Sequence, residues 1–481
     1  MVFISYIFLF SILFIVPANF YCYSQDTIES KFNEPKIALK KNLIGEIIIE
    51  GNQKTNKKII LRELKFSEGE AIDSISLAEA ICESKKNLLK LPLFNFVTIE
   101  PISSDSDFIK IRIIVEERWF IWPQFSIINN DRNFNTWLKN KDFGQLDYRI
   151  AVKQYNVLGL NHILSIGLSY GYTREFSLSY QNIFLDKDQK HFLGVNAKFF
   201  GQQSAFYITH NNKQESFSNS NVDVLEGKNL AIDYNFRPQY NSRNVLIISY
   251  NQVLISDSMA KANPSFLGNS KTISNFFELR YHYICDKRDS RSYPLNGYFF
   301  DIGLTKTGLG FIHDNNVDLF STVLTIKEFY QISNRFYGAH SISIKKSLEN
   351  DQPYYYKQGL GFRDFLRGYE YYVIDCEDYY LLKNTVIFEL LHPTISNLNF
   401  IPVKKFKKIH YAVYLKAFFD IGYANEKNNE ILIQNNLSNQ LLYSGGLGID
   451  FSTYYDKVIS FDYSINSLGE PGLFIHFKAP I

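Results

Sequence analysis

From residue 119 to its end, the chain alternates apolar and polar residues with a period of two, over and over, with no helical stretch between. Residues 163–173 (ILSIGLSYGYT) show this most clearly. Leu164, Ile166, Leu168, Tyr170 and Tyr172 fall on one face, Ser165, Gly167, Ser169 and Gly171 on the other. Tyr298, Phe300, Ile302 and Leu304 likewise oppose Asp301, Gly303 and Thr305, and Ile459, Phe461, Tyr463 and Ile465 oppose Ser460, Asp462 and Ser464. Successive side chains of a strand point to opposite faces, so each segment reads as a strand with one apolar and one polar face. Soluble antiparallel sheets alternate too, and it is the repetition that discriminates. A solenoid or propeller would impose a fixed sequence period, which is absent. Beyond the N-terminal run, no segment has the roughly 18 uninterrupted apolar residues of a spanning helix, so a membrane crossing here would be made by strands.

Composition fits this reading better than its bulk values suggest. The 481 residues are 46% hydrophobic and 21% charged, with a mean hydropathy of −0.16, as in many soluble proteins. Yet there are 42 Phe and 33 Tyr against 2 Met. A membrane barrel produces that mixture, because lipid-facing apolar residues alternate with polar lumen residues and aromatics gather at both interfaces. A net charge of +2 gives no argument for nucleic acid or for a strongly acidic partner.

The region after residue 118 has room for about 16 strands at roughly 22 residues per strand and connection. Segments 380–391, 411–423, 441–453, 457–465 and 471–478 supply five, and twelve more lie near 121, 143, 163, 175, 191, 205, 227, 243, 276, 297, 317 and 334. Single-chain bacterial barrels close with even numbers. Residues 121–128, around Trp122-Pro123, are therefore assigned to a linker. The last strand would face outward with Leu473, Ile475 and Phe477 and end before Pro480, which cannot donate a ladder hydrogen bond.

The N-terminal part has a different texture. Residues 2–16 are apolar and aromatic, and Cys22-Tyr23-Ser24 offers a cut after Ser24, so residues 1–24 are expected to be a signal peptide. The polar residues 25–41 read as a flexible linker. Residues 44–50 (IGEIIIE) form a strand ending at the Gly51-Asn52 turn. Thr55 caps a helix over 56–66, Gly69 breaks the chain, and a second helix over 76–90 repeats Leu77, Ala80, Ile81, Leu88 and Leu89. Residues 96–101 and 108–116 are two more strands. The order β-α-α-β-β over 42–118 makes a helix pair on a small sheet. Cys82, Cys285 and Cys376 remain beyond Cys22, without metal spacing, and a Cys285–Cys376 bridge stays open.

Three groups of residues carry a family likeness. The first is the strand into Gly51-Asn52, followed by Thr55, Gly69 and a helix ending near Leu93-Phe94 before Val97. The second is Asp286-Lys287-Arg288-Asp289 with Pro294 and Gly297, a D-x-R-D…P-x-x-G turn whose charges belong at a wet rim. The third is Leu366-Arg367-Gly368-Tyr369 together with Asp420-Ile421-Gly422. In these the chain resembles the BamA/TamA-type outer-membrane assembly superfamily, whose members join periplasmic POTRA domains to a 16-stranded barrel. The resemblance implies a mainly β fold: a 16-stranded antiparallel transmembrane β-barrel over 119–481, preceded by one small α/β POTRA-like domain over 42–118.

The resemblance also implies that Arg367-Gly368-Tyr369 folds back into the lumen. An Arg confined there needs carboxylates, since burying it unpaired is costly. Alternation over 411–424 sends Leu415, Ala417, Phe419 and Ile421 outward and leaves Lys416, Phe418 and Asp420 inside. Asp420 with Gly422 matches the family's D-x-G strand, and Glu389, four residues before Pro393, matches its inward Glu on the neighbouring strand, so the resemblance implies that Arg367 pairs with Asp420 and Glu389, with Phe418 packed nearby.

No credible catalytic site, metal-site spacing or cofactor motif emerges. Gly167-Leu168-Ser169-Tyr170-Gly171 spells G-x-S-x-G, but it lies inside an alternating strand with no helix after it, where a nucleophile elbow cannot form. His282 and His476 fall on inward faces and read as lumen residues. The resemblance implies insertion or translocation of client outer-membrane or secreted polypeptides at the bacterial outer membrane, the POTRA-like domain binding client strands by β-augmentation in the periplasm and the barrel templating them at the seam between its first and last strands. Outer-membrane lipids and accessory envelope proteins would be further partners. A dedicated two-partner-type secretion pore, a passive porin or structural barrel, and a soluble β-rich binding protein stay open as alternatives.

Overall fold

At the N-terminal end, β1 (Asn42–Glu50), α1 (Lys57–Arg62), β2 (Ala71–Ile72), α2 (Ser74–Lys90), β3 (Phe94–Ser103) and β4 (Phe108–Glu117) build a sheet of order β2-β1-β4-β3. Only β1 and β4 run parallel. Alternation along β4 buries Ile111, Ile113 and Val115, and these meet Ile59, Ile60, Leu77 and Leu88 of the helices in one core. The computed structural model describes residues 42–477 except 104–107, 130–133, 142, 187, 189, 220–221, 311–316, 398–407, 428–434 and 454–456. The expected signal peptide and linker, and Pro480, lie outside the described residues.

The first helix departs from expectation at both ends. Its cap is Asn56, whose side chain accepts from the Lys58 N–H, and it stops at Arg62 rather than residue 66. Thr55 is held instead by Glu117, whose Oε1 accepts from the Thr55 N–H at 2.7 Å and from Oγ1 at 2.6 Å. A short polar residue next to a stronger local partner gives up the capping role.

The rest of the chain builds one large antiparallel sheet, starting with β5 (Ile121–Asn129), α3 (Phe134–Asn140), β6 (Leu146–Val157), β7 (His162–Gly171), β8 (Thr173–Phe184) and β9 (His191–Gln202). A separate hairpin of β10 (Ser204–His210) and β11 (Lys213–Ser218) interrupts it. The sheet resumes with β12 (Leu225–Gln239), β13 (Ser242–Ile255), β14 (Ile273–Asp286), β15 (Gly297–Thr307), β16 (Leu319–Ser333) and β17 (Phe336–Ser347), α4 (Asp257–Ala262) lying between β13 and β14. It ends with β18 (Asp378–Asn397), β19 (Lys408–Asn425), β20 (Leu441–Thr453), β21 (Lys457–Asn466) and β22 (Pro471–His476). Sixteen strands are joined in this sheet, β5 and β22 are its two edges, and no described ladder closes one onto the other.

The number of strands matches expectation, but two assignments exchange places. Residues 121–128 are a wall strand, not a linker, whereas the segment near 205 belongs to the outlying hairpin. Pro123 explains the first. The Tyr155 N–H donates to Phe120 O at 2.7 Å, so alternate residues from Phe120 face β6 and Pro123 falls between them, opposite Val152. Its missing donor lies on the open edge, where proline is tolerated. The second error arises because a protruding hairpin with one packed face alternates just as a wall strand does. Ala205, Tyr207 and Phe217 pack with Met259, Phe266 and Leu267 beyond the wall.

Side chains are arranged inside out. Leu447, Ile232 and Tyr463 are more than half exposed on the outer face, while Asp233, Asn235, Ser249, Ser343, Ser460 and Asp462 are buried within. In water this arrangement would be unfavourable at both surfaces, but in lipid it is the stable one. Cys285 at the end of β14 and Cys376 in the connection after β17 are both free thiols.

The N-terminal unit sits against the wall at the end where β6 turns into β7. The Asn56 N–H donates to Gly159 O at 2.9 Å, and Asn156 Nδ2 donates to Thr55 Oγ1 at 2.9 Å. Glu63 lies between Arg62 and, at 3.5 Å, Arg237 at the end of β12. This end is called the domain end below, and the opposite one the far end.

Candidate functional site: the lumen loop and its anchor

The connection between β17 and β18, at the far end, folds back among the inward side chains. It is shaped by backbone bonds of its own. Leu360 and Ile374 exchange a pair at 3.0 and 2.9 Å, and the Tyr369 N–H donates to Leu366 O at 3.1 Å. Leu360, Leu366, Tyr369, Ile374 and Cys376 then share a core with Tyr379, Leu381, Ala424 and Leu442 of the wall.

Arg367 is fully buried within it. Its guanidinium grips Asp420 of β19 with two parallel bonds, the Nε one 2.8 Å long, and its own N–H adds a third to Oδ2 at 3.3 Å. Nη1 donates to Thr385 Oγ1 at 3.0 Å and Nη2 to Asn384 O at 3.4 Å. The guanidinium carbon lies 4.0 Å from the centre of the Phe418 ring. A planar fork matched to a carboxylate and stacked on an aromatic face suits Arg and not Lys.

Gly368 follows with φ +89°, and a β-carbon there would come within 3.2 Å of both Ser444 and Ser464. Glycine supplies both the left-handed turn and the clearance. Its N–H donates to Glu370 Oε2 at 2.7 Å, and its carbonyl accepts from Asn466 Nδ2 at 3.0 Å. Tyr369 OH meets Ser467 Oγ at 2.7 Å, and Tyr372 OH donates to Glu470 at 2.7 Å. Gly422 lies directly beneath Leu366, where a β-carbon would come within 3.1 Å of Cδ1. The loop is thus pinned to β18, β19 and β21 and to the turn between β21 and β22.

Glu389 does not join this cluster. Its Oε1 pairs with His392 Nδ1 at 2.8 Å, and on β18 it stands opposite Tyr414, whereas Thr385 stands opposite Phe418. Four strand residues separate Glu389 from Thr385, roughly 13 Å along the wall. Thr385 and the Asn384 carbonyl take the place expected for it.

The turn after β14 reaches the same interior from the domain end. Arg288 chelates Asp286 through Nε at 2.8 Å and Nη2 at 2.9 Å. Asp289 Oδ1 accepts from the Ser290 and Leu295 N–H groups. Pro294 follows Tyr293, and Gly297 starts β15 with φ +101°, where a β-carbon would sit 2.2 Å from Lys287 O. This turn is more than a wet rim. Tyr293 is buried, stacks on Tyr414 with ring centres 4.5 Å apart and donates to Asp450 Oδ2 at 2.8 Å.

A second buried cluster lies between turn and loop. Lys416 Nζ is 2.8 Å from both Asp450 and Asp462 and donates to Ser460 Oγ at 2.7 Å. His476 of β22 bridges onward, with Nε2 3.3 Å from Glu370 and 3.8 Å from Asp462. His282 pairs with Asp301 at 3.0 Å elsewhere on the wall. Sequence reasoning placed Lys416, Asp462 and His476 inside without seeing that they meet. The signal was available in the small inward residues Ser444, Gly446, Gly448, Ser460 and Ser464, which leave room for a polar insert.

Residues 156–467 match the Omp85 superfamily domain. The chain belongs to the Omp85 superfamily. Its residues 43–118 match POTRA, the surface antigen variable number repeat. Among solved structures, BamA from Haemophilus ducreyi lacking POTRA domains 1-3 is similar, at 14% identity and a TM-score of 0.56, covering 90% of this chain and 83% of that one. CdiB from Escherichia coli is similar at 11% identity and a TM-score of 0.55, with 91% and 75% covered. CdiB from Acinetobacter baumannii follows at 12% and 0.50, with 91% and 73% covered. Identities this low speak for the fold alone. No protein of curated function matches the chain. In this Omp85 chain the lumen loop, its Arg367 anchor and the Asp286–Gly297 turn all lie inside the matched domain.

Proposed function

We propose that this Omp85 chain resides in the bacterial outer membrane, with residues 42–118 as a periplasmic POTRA domain, and inserts or translocates client polypeptides. The observation that carries this reading is the open seam. Sixteen strands form the wall, yet among the described residues β5 and β22 each pair with a strand on one side alone. A free edge offers unpaired N–H and C=O groups as a template for a client strand. Client pairing there would be driven by burial of its apolar face and closure of its backbone hydrogen bonds in lipid. The domain end would then face the periplasm and the far end the exterior.

The small sheet supports the same role. Among the described residues its edge strand β3 pairs with β4 alone, with Arg118 Nε donating to the Phe94 carbonyl at 2.8 Å, whereas the edge of β1 is partly taken by β2 and by Glu68, whose Oε1 accepts from the Ile47 N–H at 2.9 Å. Strand addition to β3 would deliver clients to the seam. The passive-porin reading fits less well, because the lumen holds the loop. Over that loop the tip of the β10–β11 hairpin is fastened, Asn212 O accepting from the Val373 N–H at 2.8 Å.

Depletion of the protein followed by quantitative proteomics of the envelope tests the role. A general insertion factor lowers many outer-membrane barrels together. Loss of one secreted polypeptide with all barrels unchanged would assign it to dedicated secretion. No change in either would overturn both.

A further inference from the structure

Among the described residues, a side chain occupies part of the edge of β22 that faces away from β21. Ile475 and Phe461 stand opposite each other, and the Ile475 N–H donates to Asn135 Oδ1 at 2.6 Å while Asn135 Nδ2 donates to Ile475 O at 3.2 Å. Both backbone groups of Ile475 therefore point away from β21, into the seam. The primary amide meets them as a neighbouring strand would, one donor and one acceptor side by side. That pair of bonds also fixes the orientation of the amide, since the flipped one would set like groups together. Asn135 is buried, and it belongs to α3, in the connection between the other seam strand, β5, and β6.

The lumen loop holds α3 in place. Thr136 Oγ1 donates to Glu370 O at 3.2 Å, Lys139 Nζ lies 4.4 Å from the centre of the Tyr371 ring, and Tyr371 packs on Phe474 of β22 at 5.2 Å. Residues 370–371 follow the Arg367 anchor by one turn of the loop. The rest of this edge is also poor in donors: alternation from Ile475 through Leu473 brings Pro471 to face the seam, and it has no N–H. Asn135 thus takes one of the few donor–acceptor pairs that β22 offers.

We propose that Asn135 is a seam latch. Its amide occupies the backbone pair that any strand adding to β22 needs, whether a client or β5 itself, and α3 must withdraw before pairing can proceed. That this withdrawal gates clients rests on the insertion or translocation role proposed above; the latch itself does not.

Hydrogen exchange at the Ile475 amide, measured on the full chain in lipid nanodiscs and normalised to the intrinsic rate at each pH, reads the latch without any client. Asn135→Ala is expected to speed exchange about ten-fold, the effect of losing these two bonds. Asn135→Asp keeps the size but, when ionised, sets an acceptor against the Ile475 carbonyl, so exchange rises at pH 7. Protection should return as the pH falls toward about 4, where the protonated acid regains a donor. Equal protection in all three proteins would overturn the proposal, and so would an aspartate variant that recovers nothing on acidification. Fast exchange in both variants with unchanged client levels in the envelope would uphold the latch and count against the insertion role instead.

Discussion

Arg367 shows how much one residue carries. Removing it leaves Asp420 buried without its cation, and Arg367→Ala is expected to cost about 3–5 kcal/mol. The measurement is the temperature at which the barrel loses its compact, detergent-resistant form on a gel. Replacing both partners by apolar residues, Arg367→Met with Asp420→Leu, should cost less than either single change, because no charge is then stranded. The same cycle with Glu389→Gln should show additivity within about 0.5 kcal/mol, since Glu389 pairs with His392 instead. The Arg367–Asp420 contact was legible because the family motifs join these residues and alternation turns Asp420 inward. The Glu389 contact, expected from the family resemblance, fails because a match in sequence does not fix the height of a residue along the wall.

Asp375 makes a second prediction at this scale. It lies in the lumen loop near Thr209 of the hairpin, and burial raises its carboxyl to about 6. A raised acid binds its proton more tightly in the folded state. Its contribution to stability is therefore present below the ordinary carboxyl range, about 4, and is lost as pH rises toward 6. The contact between loop and hairpin should loosen over that window, read as faster exchange of the amides around Asn212. Asp375→Asn should flatten the profile.

At the scale of elements, β20 and β21 are narrow where the loop enters. Gly446 faces inward, and a β-carbon there would come within 2.6 Å of the Phe418 ring. Gly446→Leu should push the loop out and destabilise the barrel by about 1–3 kcal/mol, with new protease cleavage between residues 353 and 377. Leu447→Ala, on the outer face, should leave the loop protected. The elements themselves were mostly visible in sequence, because period two survives wherever one face meets lipid and the other meets polar side chains. Two were not. The Trp122-Pro123 pair looks like a strand breaker until β5 is known to be an edge, and the 205 segment looks like wall until its pairing partner is known. Pairing is a property of two segments, and no single window of sequence contains it.

At the scale of the molecule, the inside-out distribution of side chains, the lumen loop and the hairpin over it describe a wall whose interior the loop narrows, leaving beside it a cavity of about 370 Å³ lined by Glu278, Arg280, Lys345 and Arg363. Wild-type protein in planar bilayers should conduct weakly, and deletion of residues 353–376 should raise conductance in discrete steps; a large, steady wild-type conductance would favour the porin reading. The strand total and the family were legible before the structure, since composition, alternation and three motifs agree. The free edges and the Asn135 contact were not, because they depend on two segments far apart in sequence that meet only once the sheet has curled.

The central claim is that the seam receives client polypeptides. Its most direct test is site-specific photocrosslinking in living envelopes, from Ile127 on the outer face of β5 and from Ile248 on the outer face of β13, both exposed. Polypeptide adducts from Ile127 and none from Ile248 are the expected result. Adducts from neither position, or equally from both, would contradict it.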